Sequence, residues 1–211
     1  MRCAPFAAVM ILTASLTAAQ SGAAPATAGG PVFHQLVLFS LPPEFKSGNS
    51  VSERANGAFY SREYVPQGES LDHWTQMIEL TATQDLATNP NATPRALVSR
   101  LAAGFRQHCP DTFASDELGP QSFSGFDGFA VIASCGHVQG NSDAYSETAI
   151  ILALKGAKDY YAIQWARHGA DSKRAPSLDT KYWTQQLHLM QPIRLCPIVA
   201  GEAAPFPSCR S

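Results

Sequence analysis

Hydrophobic and polar positions alternate with a period of two along most of this chain, and one stretch departs from that rhythm. Residues 93–109, TPRALVSRLAAGFRQHC, place Leu97, Leu101 and Phe105 four apart with Val98 and Ala102 beside them. That spacing predicts an amphipathic helix. Thr93 is suited to the N-cap and Pro94 to the first helical position, while Cys109 and Pro110 end the run. The Asn91-Ala92-Thr93 sequon is then read as a helix cap rather than as a sugar acceptor.

The period-two segments read as strands. VFHQLVLFSLP, from Val32, is apolar on both alternations and predicts a strand buried on both sides. Residues 44–55 are polar with Gly48 and Asn49, a loop signal, and 57–66 restore alternation with polar residues on both faces, as in an edge strand or a strand lining a groove. Pro66 to Gly68 form a turn, Ser70 caps a short helical turn through Trp74, and Gln76 to Thr81 alternate as a strand. A loop rich in Asp, Ser, Gly and Pro then precedes a buried strand, GFAVIASCGHV, with Ser122 to Gly128 read as a turn.

Residues 146–169 carry the clearest pattern. Thr148, Ile150, Leu152 and Leu154 fall on one face with Tyr161, Ile163 and Trp165; Ala149, Ile151 and Ala153 fall on the other with Tyr160, Ala162, Gln164 and Ala166. This is a hairpin turning at 155–159, bulky on one face and alanine-rich on the other. The small face lets a helix approach closely, and a last helix from about Leu178 to Met190 offers Trp183, Leu187 and Met190 as cover. The fold class expected is α+β, one domain of mainly antiparallel sheet with helices packed on its faces.

The first residues change the picture by setting the compartment. Arg2, an apolar run from Ala7 to Leu16 and the small residues Thr17-Ala18-Ala19 have the make-up of a secretory signal peptide. The expected leader is 1–19, with cleavage as late as 28 at a second small triplet. The apolar run is about half of the roughly 20 residues a spanning helix needs, so no transmembrane segment is expected. The domain is expected at 31–195, followed by a Pro-rich, disulfide-tied tail at 196–211. The localisation expected is periplasmic or secreted.

Beyond Cys3 in the leader, four cysteines remain: Cys109, Cys135, Cys196 and Cys209. An even number in an exported chain predicts disulfides, and four cysteines allow three connectivities; closeness in sequence favours Cys109 with Cys135 and Cys196 with Cys209. No two share the spacing of a zinc site, so no metal is expected. Fifteen Lys and Arg, one of them in the leader, stand against 17 Asp and Glu with no basic block, which argues against nucleic acid as a partner.

Chemistry is sparsely signalled. The chain has no Gly-x-Ser-x-Gly elbow, no His-Glu-x-x-His, no phosphate loop and no dinucleotide fingerprint, so no cofactor is expected. Glu69, Asp72, His73 and Trp74 are read as a solvated turn. At the end of the hairpin Trp165 continues the core, and Arg167 and His168 fall where the strand gives way to Gly169. Tyr60, Arg62, Glu63, Arg167 and His168 are therefore the candidate ligand- or partner-binding residues, and no residue is assigned a catalytic role.

Glu63 to Glu69 (EYVPQGE), Trp74 to Met77 (WTQM), a cysteine after a helix and another in a strand, Ser146-Glu147 opening the hairpin and Tyr161 to Trp165 closing it resemble an uncharacterised family of exported proteobacterial proteins, over residues 57–168. The order of elements is also similar to the PsbP/Mog1-like sandwich, a resemblance of fold that transfers no functional residue. The function expected is an exported, non-catalytic binding or interaction module for a protein, peptide or small ligand of the cell envelope. The alternative is a cell-envelope hydrolase using His73 or His168 with a nearby carboxylate.

Overall fold

In the computed structural model, which describes residues 26–45, 51–140 and 143–210, strand pairing accounts for most of the architecture. The elements in chain order are β1 (Ala26–Val32), β2 (Gln35–Leu41), β3 (Ser52–Asn56), β4 (Phe59–Tyr64), β5 (Gln76–Thr83), α1 (Pro94–His108), β6 (Phe113–Phe123), β7 (Phe126–Gln139), β8 (Ala144–Lys155), β9 (Tyr160–Ala170), α2 (Thr180–Leu189) and β10 (Arg194–Pro197). Seven strands form one sheet in the order β3-β4-β5-β9-β8-β7-β6, and three form a second in the order β1-β2-β10. Every pairing is antiparallel. The class is α+β, as the alternation predicts.

The two faces of the large sheet differ because their side chains differ in size. Ile78, Leu80, Ile132, Ile150, Leu152, Tyr161, Ile163 and Trp165 form the bulky face, which shares one core with Val37 and Phe39 of β2 and with Trp183 and Leu187 of α2. Phe39 meets Tyr64 edge-on at 5.8 Å, and Phe45 meets Trp165 at 5.9 Å. The opposite face carries Ala133, Ala149, Ile151, Ala153 and Ala166, and on it Val98 and Ala102 of α1 settle into a second, thinner core. Small residues under a helix let the backbones approach, so alanine-rich alternation placed α1 here. The helix lies over β7 and β8 and touches β6, and among the described residues no helix packs on the β9-β5-β4 side of that face. Thr93 caps α1, its Oγ1 accepting from the Ala96 N–H at 3.1 Å.

Both disulfides are formed, Cys109 to Cys135 and Cys196 to Cys209. The first ties the C-terminal end of α1 to β7. The second holds the segment after β10 in a closed loop.

Several segments depart from the alternation reading, each for a stated cause. The polar stretch read as a loop to Ala55 contains β3, a short exposed edge strand whose charged residues pair with β4 without needing an apolar face. The Asp/Ser/Gly/Pro-rich loop before Gly128 is β6, the opposite edge, with a register shift between Glu117 and Gly119. Ser124 and Gly125, both with positive φ, make the tight hairpin turn into β7. The turn through Trp74 is not helical; Ser70 and His73 form an isolated bridge. Strand pairing begins ahead of residue 31, with Ala26 to Val32 paired to Leu41 to Gln35. Residues 1–19 lie outside the described residues.

One node joins the two sheets. Asp159, at the β8–β9 turn and fully buried, accepts from the His34 N–H (3.0 Å), the Asp85 N–H (2.8 Å) and the Tyr161 hydroxyl (3.0 Å), with His34 Nδ1 also at 3.0 Å. Burial alone would raise its pKa, but these donors outweigh it and hold the carboxyl below its ordinary value.

Candidate functional site

The candidate residues from the sequence divide between the two faces of the large sheet. In β4, Tyr60 and Arg62 point to the bulky face and Glu63 to the α1 face; in β9, Arg167 points to the bulky face and His168 to the α1 face. Arg62 is committed to structure there. It donates to the Gly29 carbonyl at 2.8 Å, pairs with Glu53 at 2.7 Å and lies 5.7 Å from the Tyr60 ring centre, where its guanidinium helps hold β1 against β4. Arg167 bonds the Tyr182 hydroxyl and stacks on that ring at 5.2 Å, holding α2. Tyr60, Arg62 and Arg167 therefore share a face but act as braces, and four residues along β9 separate the Arg62 row from Arg167.

His168 is in a different setting. Its ring is clamped between Trp74, centre to centre 3.5 Å, and Tyr145 at 3.8 Å. Trp74 is held over it from below: Glu69 accepts from both the N–H and the hydroxyl of Thr75 at 2.7 Å, and the Thr75 carbonyl accepts from the His168 N–H at 3.0 Å. This explains the Glu69 to Thr75 stretch, which anchors the aromatic clamp. Asp72 and His73 stay exposed.

Glu147 is the cross-strand neighbour of His168, and Cys135 is the next neighbour along the same row. The Glu147 carboxylate lies 3.9 Å from His168 Nε2, too far for a hydrogen bond. Nε2 is buried and has no hydrogen-bond partner among the described residues, so the ring's polar contact with the Trp74 backbone falls to Nδ1. Desolvation pushes the imidazole pKa down, favouring the neutral ring. Desolvation also pushes Glu147 up to about 7, with the negative charge of Glu79 adding to the shift and His108 opposing it. Glu79 itself is pushed up to about 7 by burial and by Glu63, which faces it across the β4–β5 pairing.

Over this row opens a cleft of about 330 Å³ between the C-terminal half of α1 and the β7–β8 end of the sheet. Leu101, Gly104, Phe105 and Val138 line it with Glu147, Tyr145, His108 and the bridged Cys135. Gly104 sits mid-helix, where glycine weakens a helix, and a Cβ there would meet nothing within 4 Å. The helix is open at the point where the cleft needs space.

His34, Asp85 and Asp159 bring metal-type ligand atoms within 4.8 Å of one another. Both Asp159 oxygens already accept from N–H or O–H donors, so this set serves as the joint between sheets.

The fold and the cleft define an α+β sandwich in which the described helices and small sheet cover one face of the large sheet and half of the other. No protein-family model matches the chain, and no curated protein matches it. Among solved structures it is similar to the Ran-binding protein Mog1p of Saccharomyces cerevisiae, at TM-score 0.45 and 13% identity over 73% of this chain and 86% of that one. It is also similar to LpqN of Mycobacterium tuberculosis, described as involved in cell envelope biogenesis, at TM-score 0.44 and 11% identity over 82% of this chain and 90% of that one. At these values the likeness describes an arrangement of strands and helices and transfers no partner or site.

Proposed function

We propose that this protein is an exported binding module, braced by two disulfides, that holds a small ligand or a protruding side chain in the cleft beside α1. The observation that carries the reading is the cleft beside α1: an apolar wall of Leu101, Phe105 and Val138 meets the half-buried carboxyl of Glu147, with His168 packed behind it and its Nε2 3.9 Å away. Apolar walls with a few placed polar groups are the usual composition of ligand sites. The tyrosine and arginines of the bulky face brace the sandwich and stand apart from the cleft.

Export is supported by the paired cysteines, since disulfides persist in oxidising compartments, and by the signal-like residues at the N-terminus. The hydrolase alternative gains a histidine and a carboxyl in one place. The cleft offers no serine, threonine or free thiol among its lining residues.

The reading is tested by native mass spectrometry of the protein recovered from the envelope or medium of producing cells, wild type beside Gly104→Leu. A small-molecule adduct on wild type that is missing from the filled cleft supports it. An adduct retained equally by Gly104→Leu places the ligand elsewhere.

A further inference from the structure

We propose that the outer face of the three-stranded sheet carries a second binding site, separate from the cleft beside α1, and that it takes a phosphoryl group, as the free ion or as the head of a phosphate monoester. Strand pairing assembles the site. Thr27 of β1 and Ser40 of β2 are cross-strand partners, and Leu38, two residues before Ser40, is the partner of Arg194 in β10. Val37, Phe39 and Leu195 turn inward to the main core, so alternation sends Thr27, Leu38, Ser40 and Arg194 outward together.

The segment after β10 folds back over this face. Its Phe206 and Cys209 pack with Leu38, and the Cys196 to Cys209 bridge fixes it there. Arg210 then reaches across the sheet and donates from Nη2 to the Thr27 hydroxyl at 3.1 Å. Arg194 donates from Nη1 to the Cys209 carbonyl at 2.8 Å. A pocket of about 280 Å³ lies among these groups, with Leu38 and Pro192 as its apolar wall.

Its polar groups are donors suited to an anion. Ser40 is only 6% exposed and lines the pocket, yet its hydroxyl makes no hydrogen bond among the described residues. Buried hydroxyls are normally satisfied, so one that lines a cavity points to a partner inside it. The Thr27 hydroxyl accepts from Arg210 and keeps its own proton to give. Arg210 is in no ion pair with a described residue, and none of the described residues lining the pocket is acidic. A phosphate monoester brings nearly two negative charges and three terminal oxygens to this set of two guanidiniums and two hydroxyls. Each guanidinium fork can grip two oxygens, and a hydroxyl can meet the third. A carboxylate has one charge and two oxygens and would leave donors unused, and a cation would face two arginines. The bridge and the strand pairing hold the donors in place before the ligand arrives, which lowers the cost of binding.

Calorimetric titration of the whole folded protein with inorganic phosphate, glycerol 3-phosphate and acetate tests the proposal. The better of the two phosphates is expected to bind at least ~10-fold more tightly than acetate, and Arg210→Gln to weaken it by ~10-fold. Ser40→Ala should weaken it ~5-fold, the loss of one hydrogen bond. Lys173→Gln removes the same charge at the cavity beyond the end of α1, and Gly104→Leu fills the cleft; both should bind phosphate as wild type does. Amide spectra check that each variant keeps its fold. Tighter glycerol 3-phosphate assigns the site to an ester, and tighter inorganic phosphate assigns it to the free ion. Acetate bound as tightly as phosphate, an affinity unchanged by Arg210→Gln and Ser40→Ala, or a loss in Lys173→Gln as large as in Arg210→Gln overturns the proposal. Failure of both phosphates to bind overturns it as well.

Discussion

At the scale of single residues, this protein sets two kinds of buried carboxyl against each other. Asp159 is surrounded by donors and held ionised, whereas Glu147 and Glu79 are desolvated without them and held towards the protonated form. The consequences for stability have opposite signs. Glu147 and Glu79 bind protons more tightly folded, at about 7, than at their ordinary 4.5, so their contribution is complete below about 4.5 and gone above about 7. Chemical denaturation should show stability falling between pH 5 and pH 8, and Glu147→Gln should reduce that fall by ~1–2 kcal/mol. A pH profile unchanged by the substitution would remove Glu147 from the account. Asp159→Asn puts an amide where donors converge and should cost ~2–4 kcal/mol in urea unfolding at pH 7. A loss below 1 kcal/mol would mean the node is not what joins the two sheets.

Residue-scale legibility was uneven. His168 could be singled out because it ends a strongly patterned strand, and its face follows from alternation. Its partners could not, because Glu147 and Trp74 reach it through cross-strand register and a non-helical turn, neither of which leaves a local signal. Gly104 was the available clue. A glycine within an otherwise regular amphipathic helix asks for a reason, and here the reason is the cleft.

At the scale of elements, periodicity located what was strongly periodic. The β8–β9 hairpin, α1 with its Thr93 cap and the all-buried β2 follow from apolar spacing alone. The edge strands β3 and β6 did not, because an edge needs only backbone pairing and keeps its charged and turn-forming residues. The bulky and alanine-rich faces of the hairpin also foretold where a helix could pack closely. Gly104→Ala should stabilise α1 by ~0.5–1 kcal/mol, since the position is helical and its Cβ would meet open space. Thermal unfolding measures this; a destabilised variant would mean that the helix is strained at the cleft. Removing the α1–β7 bridge as Cys109→Ala/Cys135→Ala should cost roughly 3.5 kcal/mol for its 26-residue separation in the chain-entropy view.

At the scale of the whole molecule, one sheet divides labour between its faces. The bulky face is closed by the small sheet and α2, and its arginines and tyrosines are spent on holding those layers. The α1 face is half covered, and the chemistry gathers at the margin of the helix. The proposed export makes a prediction for the N-terminal boundary: cleavage after Ala19 would leave β1 whole, whereas cleavage near residue 28 would remove Ala26 to Ala28, which pair with Leu41 to Phe39. Sequencing the mature N-terminus should therefore find residue 20, and a mature chain starting at residue 29 would mean that β1 begins its pairing later than described.

The central claim is that the cleft beside α1 takes a ligand, and amide chemical-shift mapping of a fragment library on wild type and Gly104→Leu tests it most directly. The account predicts hits whose shifts centre on Gly104, Tyr145, Glu147 and His168 and vanish in the filled variant, while the variant's fold stays intact. Hits that cluster on the bulky-face layers, or that survive in Gly104→Leu with the same shifts, would contradict it.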